Sequence, residues 1–84
     1  MFKVQKRDGR FENFERSKVL IGALKSGASN SEAEKLVAKV ESLLPTIAIN
    51  GVVKSQAIRS KILELLKTIN PKVGSSFEFY RKPD

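Results

Sequence analysis

The spacing of apolar residues changes period several times along this chain, and each change marks an element. Phe2, Val4 and Lys6 alternate with Lys3, Gln5 and Arg7, the period-two pattern of a strand. Asp8-Gly9 follows. An Asp-Gly pair between alternating residues signals a tight β-hairpin, since both turn positions need positive φ. With Asp8-Gly9 as a two-residue loop, Arg7 opposes Arg10, Lys6 opposes Phe11 and Val4 opposes Asn13. Val4, Lys6, Phe11 and Asn13 then share one face, and Arg7, Arg10, Glu12 and Phe14 the other. An isolated hairpin is marginal in water, so it must lie on something.

From Glu15 or Arg16 the period becomes helical and runs to about Ser26, with Val19, Leu20, Ala23 and Leu24 as the apolar stripe. Gly27 stands where a left-handed residue would close that helix. Gly22, inside it, costs up to about 1 kcal/mol relative to Ala and marks a close helix crossing. Ser29-Asn30-Ser31-Glu32 is a capping-box pattern. It opens a second helix with Ala33, Leu36, Val37, Val40, Leu43 and Leu44 on one side, and Pro45, which disfavours helical geometry at Leu44, is expected to end it. Thr46 to Val53 is β-branched and punctuated by Asn50-Gly51. It reads as a short third strand, which would make the hairpin viable, or else as a loop. Ser55 is placed to cap a third helix with Ile58, Ile62, Leu65, Leu66 and Ile69 on its apolar side. Asn70-Pro71 opens a fourth, whose face is Val73, Phe77 and Tyr80. The elements predict one α+β domain over residues 1–84, mostly helical: a small four-helix bundle capped by a short antiparallel β-hairpin or three-stranded sheet.

Composition narrows the chemistry. A chain of 84 residues buries only about 60–65 % of its unfolded surface. The absence of Cys and His excludes disulfides, thiolate nucleophiles, imidazole catalysis and the usual transition-metal sites. No run approaches the roughly 20 apolar residues needed to span a bilayer, and MFKVQKRDG is too polar for a signal peptide, so a cytoplasmic location is expected. Neither a GxSxG nor a GxxxxGK[ST] motif occurs. Asp8 sits in the turn for conformational reasons, and Glu12 and Glu15 have no defined separation across a strand-to-helix junction. A non-enzyme with no catalytic and no metal-ligating residues is therefore expected.

The net charge of +7 points to an anionic partner, although solubility alone is the plainer explanation. Lys6, Arg7, Arg10 and Lys18 gather at the hairpin-to-helix corner. Lys6 projects from the strand and Lys18 lies in the first helical turn, whose backbone N–H groups also favour an anion. The competing reading is a solvated basic edge strand. Arg10, in the two-residue register, falls on the face opposite Lys6. Ser55 serves as an N-cap, a phosphate ligand or both, with Arg59 one turn on. Tyr80, Arg81 and Lys82 form a clamp or a basic tail.

Val4-Gln5-Lys6-Arg7-Asp8-Gly9-Arg10, followed by Glu12, Phe14 and Ser17-Lys18-Val19, resembles the opening signature of the ATP-cone family. Lys54-Ser55-x-x-Ile58-Arg59 and Phe79-Tyr80-Arg81-Lys82 resemble its remaining motif blocks, so that the likeness covers essentially the whole chain in order. The resemblance implies a regulatory domain binding ATP or dATP, with or without Mg and with no redox cofactor. In ribonucleotide reductases such a domain lies at the N-terminus and sets overall activity, and in a repressor of reductase genes it follows a zinc ribbon. It further implies that Lys6 and Arg7 meet phosphates with Lys18 near them, that Val4, Glu12 and Val19 border the adenine, that Ser55 and Arg59 reach phosphate or ribose, and that Lys82 approaches the phosphates. Arg59 stands where members often place His. No zinc ribbon or reductase domain accompanies these motifs, so a stand-alone module is expected, acting through self-association or a protein partner such as a ribonucleotide reductase or transcription regulator, without a membrane. The charge leaves two alternatives open, a small basic nucleic-acid-binding domain and an adaptor for an acidic protein.

Overall fold

A computed structural model of the chain describes residues 2–79. The elements run β1 (Lys3–Gln5), β2 (Phe11–Asn13), α1 (Arg16–Lys25), α2 (Asn30–Ile47), β3 (Val52–Lys54), α3 (Ser55–Ile69) and α4 (Pro71–Phe79). The architecture is α+β and mostly helical, with one three-stranded sheet in the order β2-β1-β3. β1 pairs antiparallel with β2 and parallel with β3, so the sheet is mixed.

The hairpin closes differently from the two-residue expectation. The Lys6 N–H donates to the Arg10 carbonyl at 2.8 Å and the Gly9 N–H to the Lys6 carbonyl at 3.0 Å, leaving Arg7, Asp8 and Gly9 as the loop. Only Gly9 takes positive φ there, at +90°, whereas a two-residue loop of type I′ needs two such residues. Asp8 braces the turn instead: its carboxylate accepts from the Arg10 backbone N–H at 3.0 Å and from Arg10 Nε at 2.6 Å. The register becomes Lys3↔Asn13, Val4↔Glu12 and Gln5↔Phe11. Because side chains alternate along a strand, this one-residue shift exchanges the faces of β2. Arg10 and Glu12 join Val4 and Lys6 on the inner face, and Phe11 and Asn13 turn outward.

The third strand expected over Thr46 to Val53 is confined to Val52–Lys54, and Asn50 and Gly51 before it form a two-residue turn with φ of 53° and 76°. Ile49 and Val52 exchange backbone hydrogen bonds of 2.9 and 3.0 Å across it. The turn delivers Val53 beside Val4, and both are buried under the helices. α3 begins directly after β3. Lys54 occupies its N-cap position and Ser55 is the first helical residue, so the N-cap assignment of Ser55 is corrected by one position.

α1 ends as anticipated at Gly27, whose φ is +103°. The Ala28 N–H reaches the Ala23 carbonyl at 3.0 Å and the Gly27 N–H the Leu24 carbonyl at 3.1 Å, which satisfies two carbonyls of the last turn. Ser29 and Glu32 form the capping box of α2. That helix does not stop before Pro45 but continues through it to Ile47, with Ala48 N–H donating to Leu44 at 2.9 Å. Proline removes one intrahelical donor in the last turn. Leu44 is 2 % exposed and Ile47 packs against the core, and that burial outweighs the local preference.

α2 packs against α1 and α3, and α4 lies on α3. Leu36, Val37, Val40, Leu66 and Val53 form the dry centre. Two details position α4. The side chain of Asn70 caps it by accepting from the Lys72 N–H at 3.1 Å, while its amide donates to Glu32 Oε2 at 2.9 Å. Glu32 thus joins the start of α2 to the α3–α4 corner, and its other oxygen accepts from the Ser29 N–H at 2.9 Å. These bonds to the charged form, that of the Ser29 backbone first, hold its carboxyl below the ordinary range. Gly74 makes the second detail. A Cβ there would come within 2.8 Å of Lys67 Cγ and 3.0 Å of Lys67 N, so α4 approaches α3 more closely than any side chain permits.

Gly74→Ala is accordingly expected to destabilise the fold by about 1–3 kcal/mol through overpacking against the α3 backbone, measured as a lower urea midpoint. An unchanged midpoint would contradict the close approach. For Glu32, a carboxyl held low in the folded state adds stability that is present above its unfolded pKa and lost as pH falls through the folded value. Glu32→Gln should lower the midpoint at neutral pH, and its gap from the parent protein should close as pH falls below the ordinary carboxylate range and through the lower folded value. A pH-independent gap would refute the charge-based role.

Candidate functional site

A cleft of about 420 Å³ opens between the inner face of the sheet and helices α1, α3 and α4. Its interior is apolar: Val4 from β1, Val19 and Gly22 from α1, Ile58 and Ile62 from α3, and Phe77 from α4, with Phe14 at the approach. Gly22 widens this interior. A Cβ there would sit 3.9 Å from Phe77 Cε1, an ordinary contact, so the glycine marks cleft lining rather than a forced crossing.

The rim is charged. Lys6 and Arg10 flank the hairpin loop, Lys18 comes from the first turn of α1 and Arg59 from α3, with Glu12, Glu15 and Ser55 between them. Lys18 Nζ lies 3.2 Å from Glu12 Oε1. That bond, with the charges of Lys18, Lys6 and Arg10, holds the Glu12 carboxyl below the usual range, so a fixed anion stands among the rim cations at neutral pH. Arg59 is half-buried. Its Cζ lies 4.7 Å from the Phe77 ring centroid, and one guanidinium N–H reaches the Phe77 carbonyl at 3.4 Å. The cation–π contact orients a planar donor group along the cleft wall. An arrangement of this kind suits an amphipathic ligand, with a flat apolar part inside and an anionic part at the rim. Its volume falls in the roughly 300–1,000 Å³ range of small-molecule sites. Among the described residues no group of three or more acidic side chains gathers as a cation site.

Seven of the residues singled out from the sequence line this cleft: Val4, Lys6, Glu12, Lys18, Val19, Ser55 and Arg59. Arg7 does not. It lies in the hairpin loop and borders a second cleft of about 460 Å³ with Gln5, Gly9, Lys54 and Gln56. Lys6 and Ser55 line both clefts and form the ridge between them. Lys82, with Tyr80 and Arg81, lies outside the described residues. Arg10, which the two-residue register put on the far face, lines the main cleft; a hairpin with a three-residue loop was the reading that would have found it. Phe77 was legible only as a core position, because its contact with Arg59 joins residues 18 apart in sequence.

With the geometry in hand, the chain can be set beside known proteins. An uncharacterized protein of Archaeoglobus fulgidus is 44 % identical over 41 residues, which cover 49 % of this chain and 87 % of that protein. No helix among the described residues is long and apolar enough to cross a membrane. A family model described as ATP cone domain matches residues 2–83, nearly the whole sequence. The chain belongs to the ATP-cone domain family, a family of nucleotide-binding regulatory modules.

Proposed function

We propose that the cleft binds an adenine nucleotide, ATP or dATP, and that the domain relays its occupancy through self-association or a protein partner, of which a ribonucleotide reductase or a transcription regulator is the kind the family implies. The observation that carries this reading is the convergence in one cleft of an apolar slot and a rim bearing Lys6, Arg10, Lys18 and Arg59. The base lies between Val4, Val19 and Ile58, where Glu12, anionic at neutral pH, accepts from its exocyclic amine. The phosphates meet Lys6, Arg10 and Lys18 at the start of α1, with Ser55 and Arg59 reaching phosphate or ribose from α3. Lys18 exchanges its bond to Glu12 for one to phosphate. Binding and relay need no bond-making chemistry, and we read the domain as non-catalytic and cytoplasmic.

Titration calorimetry with ATP, dATP, ADP and GTP tests the reading. Heat is expected with the adenine nucleotides, and its absence at about millimolar ligand with folded protein would sink it. Lys6→Ala should weaken triphosphate binding by about 1–3 kcal/mol through loss of a charge-assisted hydrogen bond. Arg7→Ala, on the separate cleft, should leave the Kd within about twofold, and the reverse ranking would move the phosphates to the hairpin loop. Gly22→Ala separates stability from binding. It should raise the free energy of unfolding by about 0.5–1 kcal/mol through helix propensity while its methyl narrows the slot and weakens ATP binding by about 1 kcal/mol or more. Unaltered affinity in that variant would place the base elsewhere.

A further inference from the structure

The outer face of the sheet has a different character from the inner one. Strand alternation and the observed register put Lys3, Gln5, Phe11, Asn13, Val52 and Lys54 together on it. The Lys3 ammonium donates to the Asn13 amide oxygen across the strands, as side chains on one face do. Phe11 is 59 % exposed on β2, an edge strand of the sheet. Among the described residues no strand residue of this face is acidic, and the face runs on into the second cleft, bordered by Arg7, Lys54 and Gln56. An open aromatic ring on an edge strand, in one row across the sheet with Gln5 and Lys54 and beside a basic groove, fits a partner with both flat bases and a line of negative charge. An acidic protein would match the charge and leave the ring without a specific role.

We infer that this outer face is a docking surface for single-stranded nucleic acid, one base stacking on Phe11 while the adjoining phosphates run past Lys3, Lys54 and Arg7. Stacking on an exposed ring is tolerant of sequence, so the surface discriminates single strands from duplex rather than one base from another. The site is separate from the nucleotide cleft and does not depend on ATP binding there.

Fluorescence anisotropy of the full chain with a labelled oligothymidylate of about twelve nucleotides tests this. Three phosphate contacts predict a log–log salt slope of about −2, hence roughly a 20-fold loss of affinity between 50 and 200 mM salt. Phe11→Ala should weaken binding about tenfold without changing that slope, and Phe11→Tyr should restore it. Lys54→Ala should reduce the slope by about 0.7. Circular dichroism confirms that each variant is folded, and a folded Phe11→Ala that binds like the parent protein overturns the proposal. So do equal affinity for a duplex of the same length, equal competition by polyglutamate at matched charge, and displacement by saturating ATP at matched ionic strength. That last outcome would assign the strand to the nucleotide cleft. Failure of ATP to bind at all would leave the oligonucleotide result intact and count only against the cleft.

Discussion

The inventory of the cleft depends on one backbone closure, the paired Lys6 and Arg10 with Gly9 at positive φ between them. β2 is three residues long and has no packing of its own strong enough to choose a register. The loop chooses for it. With three residues in the turn, Arg10 and Glu12 join Val4 and Lys6 over the helices, and Phe11 faces outward. Asp8 supports this by holding Arg10 through both backbone and side chain, and those bonds keep its own carboxyl below the usual range. The same closure therefore gives the two sides of a three-stranded sheet opposite chemistries.

On the inner side, helices and sheet divide the work. β1, central in the sheet, and β3 beside it contribute Val4 and Val53 to the core. Among the described residues, the cations at the cleft rim come from four separate segments. Mutual repulsion among them is moderated by Glu12 within the cleft and, for Arg59, by the face of Phe77. The four rim cations outnumber Glu12 and Glu15, so the rim keeps a positive balance that favours an anion.

Features written in a few adjacent residues were readable from the sequence. The Ser29/Glu32 capping box, the Gly27 helix end and the Asn70-Pro71 start each satisfy local backbone groups, and each is found where its residues stand. Legibility failed where two local solutions compete or where a distant surface decides. Asp-Gly serves hairpins with two- and three-residue loops, and the pair alone does not choose. Pro45 argued for a helix end, but the burial of Leu44 against the core carried the helix on. The parallel pairing of β3, the stacking of Arg59 on Phe77 and the close approach at Gly74 all join segments far apart in sequence. Seven cleft residues were nonetheless identifiable, because the family motifs record them together even though periodicity does not.

Gly74 has a geometric role beyond the contact it makes. It acts as a gauge between helices: with no side chain at that point, α4 settles onto α3 at the distance allowed by the bare backbone. Phe77 stands three residues further along the same helix, and its ring is a wall of the cleft. The depth of the cavity is therefore set by a residue that never touches its contents. Any bulk at position 74 would lift α4 and enlarge or tilt the chamber, so the dimensions of the binding space are encoded one helical turn away from it.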